Sequence, residues 1–389
     1  MIYSITASAD TTLYEKIQEG PFSSSMNTGI DEILEVSKDM SGSLGLGPFN
    51  SRFIVKFDIP LAMYSGSDTA RTFNNPDGTK FTPPITFAKI YSANKDESLA
   101  LDDKLEIKAV SQSWNMGIGR IGHKPQTSAG ASWGYPLTYG GTQWVNNLGI
   151  EQLGCSTHSI AANPAIFASY TSASGANLDI RQDVSYWTAK MTMSSGVYGL
   201  DRIKNHGFLI KRPDSVETGI YKQGSFKYYS TETHTIYQPR LEFCWDDSKF
   251  TTGSLSELST DDPSSIFLYL KNNRADYKIG EKAKFRIIGR EKYPVKTYGS
   301  TSTELSVKYI PSGSAFYSVK DLRTGETVIP YDDTFTKISC DSKGNYFEAF
   351  TSNLSPERYY QIEIKLKASG STTDIIGYYP IKDIFKVTR

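Results

Sequence analysis

Metal binding and proton transfer fall first to histidine and cysteine, and this sequence of 389 residues holds four of the one and three of the other. His123, His158, His206 and His234 form no HExxH or H-x-H pair, and Cys155, Cys244 and Cys340 stand too far apart for a Cys-x-x-Cys knuckle. A zinc site is therefore not expected. His206, at a strand entry, and His234, before a strand, read as structural or surface histidines. The odd, scattered cysteines suggest no disulfide framework, which fits folding in a reducing cytoplasm.

Carboxylates add no catalytic pair. Asp102 with Asp103, and Asp261 with Asp262, are sequence neighbours in polar turns, whereas glycoside hydrolysis needs two carboxylates facing each other across a cleft. No GxSxG elbow, Walker-type glycine loop or dinucleotide fingerprint is present. The stretch "GIGRIG" at 117–122 lacks a preceding strand and a following helix, and reads as a flexible loop. The acidic residues of "SADTT" (Asp10) and "NTGIDEILEV" (Asp31, Glu32, Glu35) could lend oxygens to a structural calcium ion, although no EF-hand spacing supports it. No catalytic residue and no other cofactor are assigned, and the protein is expected not to be an enzyme.

Aromatic residues offer the remaining candidates. Between Ser111 and Asn177 runs a long stretch rich in Gly, Ser, Thr, Asn and aromatics, and loops of that length are often functional. It holds Trp114, Trp133, Tyr135, Tyr139 and Trp144, of which Trp133, Tyr135, Tyr139 and Trp144 are the candidate interface or ligand residues. Three roles are open to them: a small core that orders the loop, a protein interface, or stacking on sugar rings. Nucleic acid is not an expected partner, because the aromatics are not interleaved with Lys and Arg.

The elements that must carry these residues are strands. Counts of 25 Tyr, 19 Phe and 31 Gly favour strands and tight turns over helices. In "NSRFIVKFDIP" the period of two turns Phe53, Val55 and Phe57 to one face and Arg52, Ile54, Lys56 and Asp58 to the other. The first face should be dry, and the second is expected to be the wet side of a sheet. "DIRQDVSYWTAKM" reads as strand leading into a helical turn, with Ile180, Val184 and Trp187 spaced for one face.

Lys+Arg and Asp+Glu number 42 each, so nothing in the overall charge draws the chain to nucleic acid or an anionic membrane. The start, "MIYSITASADTTLYEK", has neither the basic nor the apolar region of a secretory signal, and no segment has the length of a membrane span. Membrane insertion is not expected.

The expected fold class is all-β. Residues 1–247 should form a jelly-roll-like sandwich carrying the long aromatic loop at 111–177. The polar run at 248–265 reads as a linker. Residues 266–389 should form a smaller sandwich, with hairpin turns at Gly325 and Gly344. In "LSPERYYQIEI" the spacing of Leu354, Pro356 and Tyr360 resembles the tyrosine corner of immunoglobulin and fibronectin-III sandwiches, whose hydroxyl bonds back to the preceding corner.

The ordered set "SADTTLYEK", "NSRFIVKFDIP", "ITFAKIY", "DIRQDVSYW", "NHGFLIKR" and "YYSTETHTIYQPRLEFCW" resembles DNRLRE-type β-sandwich modules over most of residues 1–247. The versions "NTGIDEILEV", "GASWGYP" and "HTIYQPRLEFCWDDS" are similar to structural proteins of tailed bacteriophage particles. These resemblances imply a virion protein of the tail, neck or fibre-attachment region. It would be released with particles and would contact other virion proteins in several symmetric copies. DNRLRE-type modules also serve as carbohydrate-binding appendages, which leaves open an adhesion protein that grips host-surface glycans.

Overall fold

A computed structural model describes residues 1–15, 26–40, 49–59, 64–65, 72–74, 80–81, 85–94, 102–122, 127–146, 151–158, 166–171, 178–192, 203–294, 306–368 and 375–389. His123 and parts of the 111–177 loop lie outside the described residues. The chain is all-β, as expected. It divides into two units, one of Ile5–Glu242 and one of Met1–Ser4 with Phe243–Arg389.

The strands of the first part are β1 (Ile2–Thr6), β2 (Ala9–Tyr14), β3 (Ile33–Asp39), β4 (Phe49–Lys56), β5 (Tyr64–Ser65), β6 (Thr72–Asn74), β7 (Lys80–Phe81), β8 (Ile85–Ile90), β9 (Asp103–Ala109), β10 (Ile166–Tyr170), β11 (Ile180–Asp183), β12 (Phe208–Lys211), β13 (Gln223–Tyr229) and β14 (Arg240–Cys244). Helices α1 (Ser185–Thr192) and α2 (Asp214–Glu217) follow β11 and β12. One sheet runs β1-β14-β8-β11 and the other β10-β9-β12-β4-β3-β13, with β2 also on β4; β5, β6 and β7 form a small third sheet.

Phe53, Val55 and Phe57 are buried, as the period of β4 requires. Phe53 meets Tyr228 at 5.6 Å between ring centroids, and Phe57 meets Phe208 at 6.2 Å. Trp187 of α1 is buried too, in the helical turn expected there.

The second unit adds β15 (Ser256–Glu257), β16 (Ile266–Lys271), β17 (Asp276–Lys278), β18 (Lys282–Glu291), β19 (Lys308–Tyr309), β20 (Ala315–Asp321), β21 (Thr327–Ile329), β22 (Ser339–Asp341), β23 (Gly344–Phe350), β24 (Arg358–Lys367) and β25 (Ile376–Thr388). One sheet is β15-β19-β18-β23-β22 with β16 on β18, and the other is β17-β25-β24-β20-β21. Their aromatic core stacks Tyr317 on Phe347 at 4.0 Å and Phe347 on Phe285 at 5.0 Å. The Tyr360 hydroxyl donates to the Ser355 carbonyl at 2.9 Å and accepts from the Ser355 N–H at 2.7 Å, the back-bond anticipated from its spacing.

The polar run at 248–265 is not a free linker. Cys340 N–H donates to the Lys249 carbonyl at 2.9 Å, Thr251 N–H donates to the Cys340 carbonyl at 3.0 Å, and β15 pairs in parallel with β19. Backbone pairing needs no apolar period, so composition concealed it. Met1–Ser4 likewise belong to this unit: Asn353 donates to the Ile2 carbonyl at 2.7 Å, and the Tyr3 ring lies edge-on to Phe350 at 5.2 Å.

Candidate functional site

The side of β4 expected to be wet is covered. Ile54 is fully buried, packed with Leu13 of β2, Leu209 of β12, Val110, and Ala131, Trp133, Trp144 and Cys155 of the long loop, while Trp114 leans on the edge of the cluster. The loop therefore forms a third layer over the larger sheet, with its own dry interior. Two of its three indoles find acceptors: Trp144 Nε1 donates to the Ser132 carbonyl at 2.9 Å and Trp114 Nε1 to the His206 carbonyl at 2.8 Å, while the buried Trp133 Nε1 has no hydrogen-bond partner among the described residues.

Arg52 is the second departure from a wet face. Its guanidinium lies 4.7 Å from the Trp133 ring, donates twice to Glu217 at 2.9 and 2.5 Å, and reaches the Gly154 carbonyl at 2.8 Å. Lys211 joins Glu217 at 2.9 Å, and both of those side chains are only 4% exposed. Buried charges persist only when paired and hydrogen-bonded, and a two-pronged Arg–carboxylate contact meets that condition. Lys56 and Asp58 do face water, 38% and 73% exposed and 3.9 Å apart.

"GIGRIG" is a clasp rather than a flexible loop. At its centre is the side chain of Asn27, which is fully buried and uses its whole amide. Nδ2 donates to the carbonyls of Met116 at 2.8 Å and Ala131 at 2.9 Å, while Oδ1 accepts from Gly29 N–H at 3.1 Å and Gly119 N–H at 2.8 Å. A Cβ on Gly119 would lie 2.1 Å from the Asn27 carbonyl oxygen, and one on Gly130, whose φ is +107°, would lie 2.4 Å from Asn27 Nδ2. Only glycine lets the loop close this tightly on the asparagine.

Of the four aromatic candidates, Trp133 and Trp144 are therefore interior residues, and neither presents a ring to solvent. Tyr135 is half-buried and meets the 57%-exposed Tyr139 edge-on at 5.3 Å. The outside of the layer also exposes Ile118, Ile121, Leu137 and Leu153, which sequence alternation did not single out. Irregular loops have no period, so which residues face out depends on the clasp.

The acidic candidates are dispersed among protein donors. Asp10 accepts from Thr231 N–H at 2.7 Å and Oγ1 at 3.1 Å; Asp31 accepts from Ile121 N–H; Glu35 accepts from the Tyr14 hydroxyl at 3.1 Å. Glu32 lies 3.7 Å from His234. Among the described residues no three His, Cys, Asp or Glu side chains gather around a point that could hold a metal ion. Burial pushes the His206 imidazole below its usual range, and Lys56, Lys204 and His158 add to that; burial and Lys190 do the same for His158.

Comparison with protein-family models finds no match, and comparison with curated proteins finds none either. Among solved structures, a DUF4785 family protein from Legionella pneumophila is similar at 9% identity, covering 99% of this chain and 66% of that one, with a TM-score of 0.20. The chain thus spans slightly under two thirds of that protein's length, and a likeness of this size carries no inference about fold or function.

Replacing Asn27 by alanine strands two buried N–H groups and two carbonyls. N27A should cost more than about 2 kcal/mol in urea unfolding and speed amide hydrogen exchange across residues 115–122 and 127–131, with β4 still protected. Unchanged exchange there would remove the clasp from the picture. Asp10 gives a pH dependence: burial, with Glu232 adding to it, raises its carboxyl from the usual 3.8 to about 7 against the lowering effect of Thr231. Between those values the unfolded chain has released a proton that the fold still holds, so stability falls as pH rises and levels off above about 7. D10N abolishes this titration while still accepting from Thr231. Its stability relative to the natural protein should rise by about 1 kcal/mol or more from pH 5 to pH 8, measured by urea unfolding at each pH.

Proposed function

We propose that the protein is a non-enzymatic structural component of a tailed-phage particle, working through protein–protein contacts in the tail, neck or fibre-attachment region. The observation that carries this reading is the orientation of the loop layer. Its tryptophans face the sheet, while Ile118, Leu137, Tyr139 and Leu153 face out. Exposed aliphatic side chains and a tyrosine on one layer suit a desolvated protein contact, whereas sugar recognition relies on exposed aromatic faces flanked by hydrogen-bonding groups.

The virion assignment rests on the sequence resemblances to DNRLRE-type modules and phage structural proteins. Strand order and the Tyr360 back-bond favour reading the second unit as immunoglobulin-like, a scaffold suited to presenting edges and loops. Several copies in a symmetric ring would let a modest contact gain by multivalency. A carbohydrate-binding role is the second reading, and it rests on the exposed Tyr139 with Tyr135 beside it.

Leu137→Asp puts a charge on the outer surface without touching the inner cluster. It should leave the fold intact by circular dichroism and reduce incorporation into gradient-purified particles at least tenfold, read by immunoblot. Normal incorporation of that variant, together with glycan-array binding that disappears in Tyr139→Ala, would replace the structural role with the adhesive one.

A further inference from the structure

The second unit holds an open strand edge beside an apolar cavity. On one side β25 pairs with β24, from Ile376 opposite Lys367 to Val387 opposite Arg358. On its other side β17 covers only Lys386–Thr388, and among the described residues no strand pairs with that side of Ile376–Asp383. The phase of the ladder is fixed where Ala368 N–H donates to the Ile375 carbonyl at 2.9 Å.

Backbone groups of successive residues in an antiparallel ladder point to alternate sides. Gly377 and Tyr379 therefore turn theirs to β24, and Ile376, Tyr378 and Pro380 turn theirs to the open side. Pro380 has no N–H to lose there, which is where a strand tolerates proline. The open side thus presents the N–H groups of Ile376 and Tyr378 and the carbonyls of Ile376, Tyr378 and Pro380.

Across the gap lies β16, which among the described residues pairs only with β18. Between them is a cavity of about 360 Å³ whose walls include Leu268 and Tyr269 of β16 and Tyr379, Pro380, Ile381 and Lys382 of β25. Phe267 and Tyr378 are exposed at its rim, 42% and 57% respectively. Three cations border it, with Asp383 in its lining and Asp262 near Tyr379 as the acidic groups. Arg290 lies 4.9 Å over the Phe267 ring, Lys382 lines the cavity, and Lys271 continues the exposed face of Phe267 and Tyr269. No carboxylate pairs with these three among the described residues, and Asp383 is the acidic group of the lining.

We infer that this edge and cavity take an extended segment of a partner protein as an added strand, one that alternates apolar with acidic side chains. Its backbone completes the open groups of Ile376, Tyr378 and Pro380. One set of its side chains fills the cavity, and the acidic set meets the cationic rim. Main-chain pairing supplies affinity in such additions, and the pocket and charges supply selectivity. The site lies in the second unit and does not depend on the loop layer, so either can fail alone.

The test selects a display library of random nonapeptides on the full chain. Recovered peptides should alternate apolar and acidic residues over at least five positions. Tyr378→Pro removes an N–H that the β24 ladder does not use, and should weaken their binding at least tenfold by fluorescence anisotropy, while Tyr378→Phe binds as the natural protein does. Should Tyr378→Pro fail to fold, Lys382→Glu provides the second variant, with at least a threefold loss expected. Failure to enrich any peptide, enrichment without alternation, or affinity unchanged in the folded variants would overturn the inference. Sedimentation showing a dimer that Tyr378→Pro converts to monomer would also overturn it, because a second copy would then be the occupant.

Discussion

Everything distinctive in the larger unit depends on the burial of one sheet face by a loop. Ile54, Leu13 and Leu209 stand on the side of the larger sheet turned away from its partner sheet, and without cover they would form an exposed apolar patch. Trp133 and Trp144 provide the cover. In doing so they give an irregular segment a core of its own, which repays the entropy of ordering it. The same contact decides what the loop can do, because indole faces committed to the sheet are not available to a ligand.

The charges follow from that packing. Once the loop lies over β4, Arg52 has lost access to bulk water on most sides, and it persists there by spending its donors on Glu217 and the Gly154 carbonyl with its charge over the Trp133 ring. Lys211 closes the set from β12. Removing one member would leave the other buried and uncompensated, which is strongly destabilising. The same holds, in neutral form, for Asn27. Four hydrogen bonds on one amide, inside a ring of glycines, leave the loop a single way to seat.

The strands were legible in the sequence because a buried face imposes a period of two on β4, β24 and their neighbours. Tyr360 was legible because a corner fixes the distance between a hydroxyl and the backbone it returns to. The nature of the second face was not. A single Ile54 between Arg52 and Lys56 reads the same whether water or a tryptophan covers it, and the covering residues lie far along the chain. "GIGRIG" was misread for a similar reason, since its glycines answer to Asn27, about ninety residues earlier in the sequence. The run at 248–265 concealed its strand pairing because only its backbone takes part. Composition marked out the segment that holds the four aromatic candidates, but only the structure sorts Trp133 and Trp144 inward from Tyr139 outward.

The most direct measurement is cryo-electron microscopy of intact particles from the source lysate. A protein-contact role predicts an ordered ring or collar of copies, with the surface bearing Ile118, Leu137 and Tyr139 pressed against a neighbouring protein. Particles without the chain, or copies whose loop layer faces open solvent while another surface makes the contacts, would contradict it.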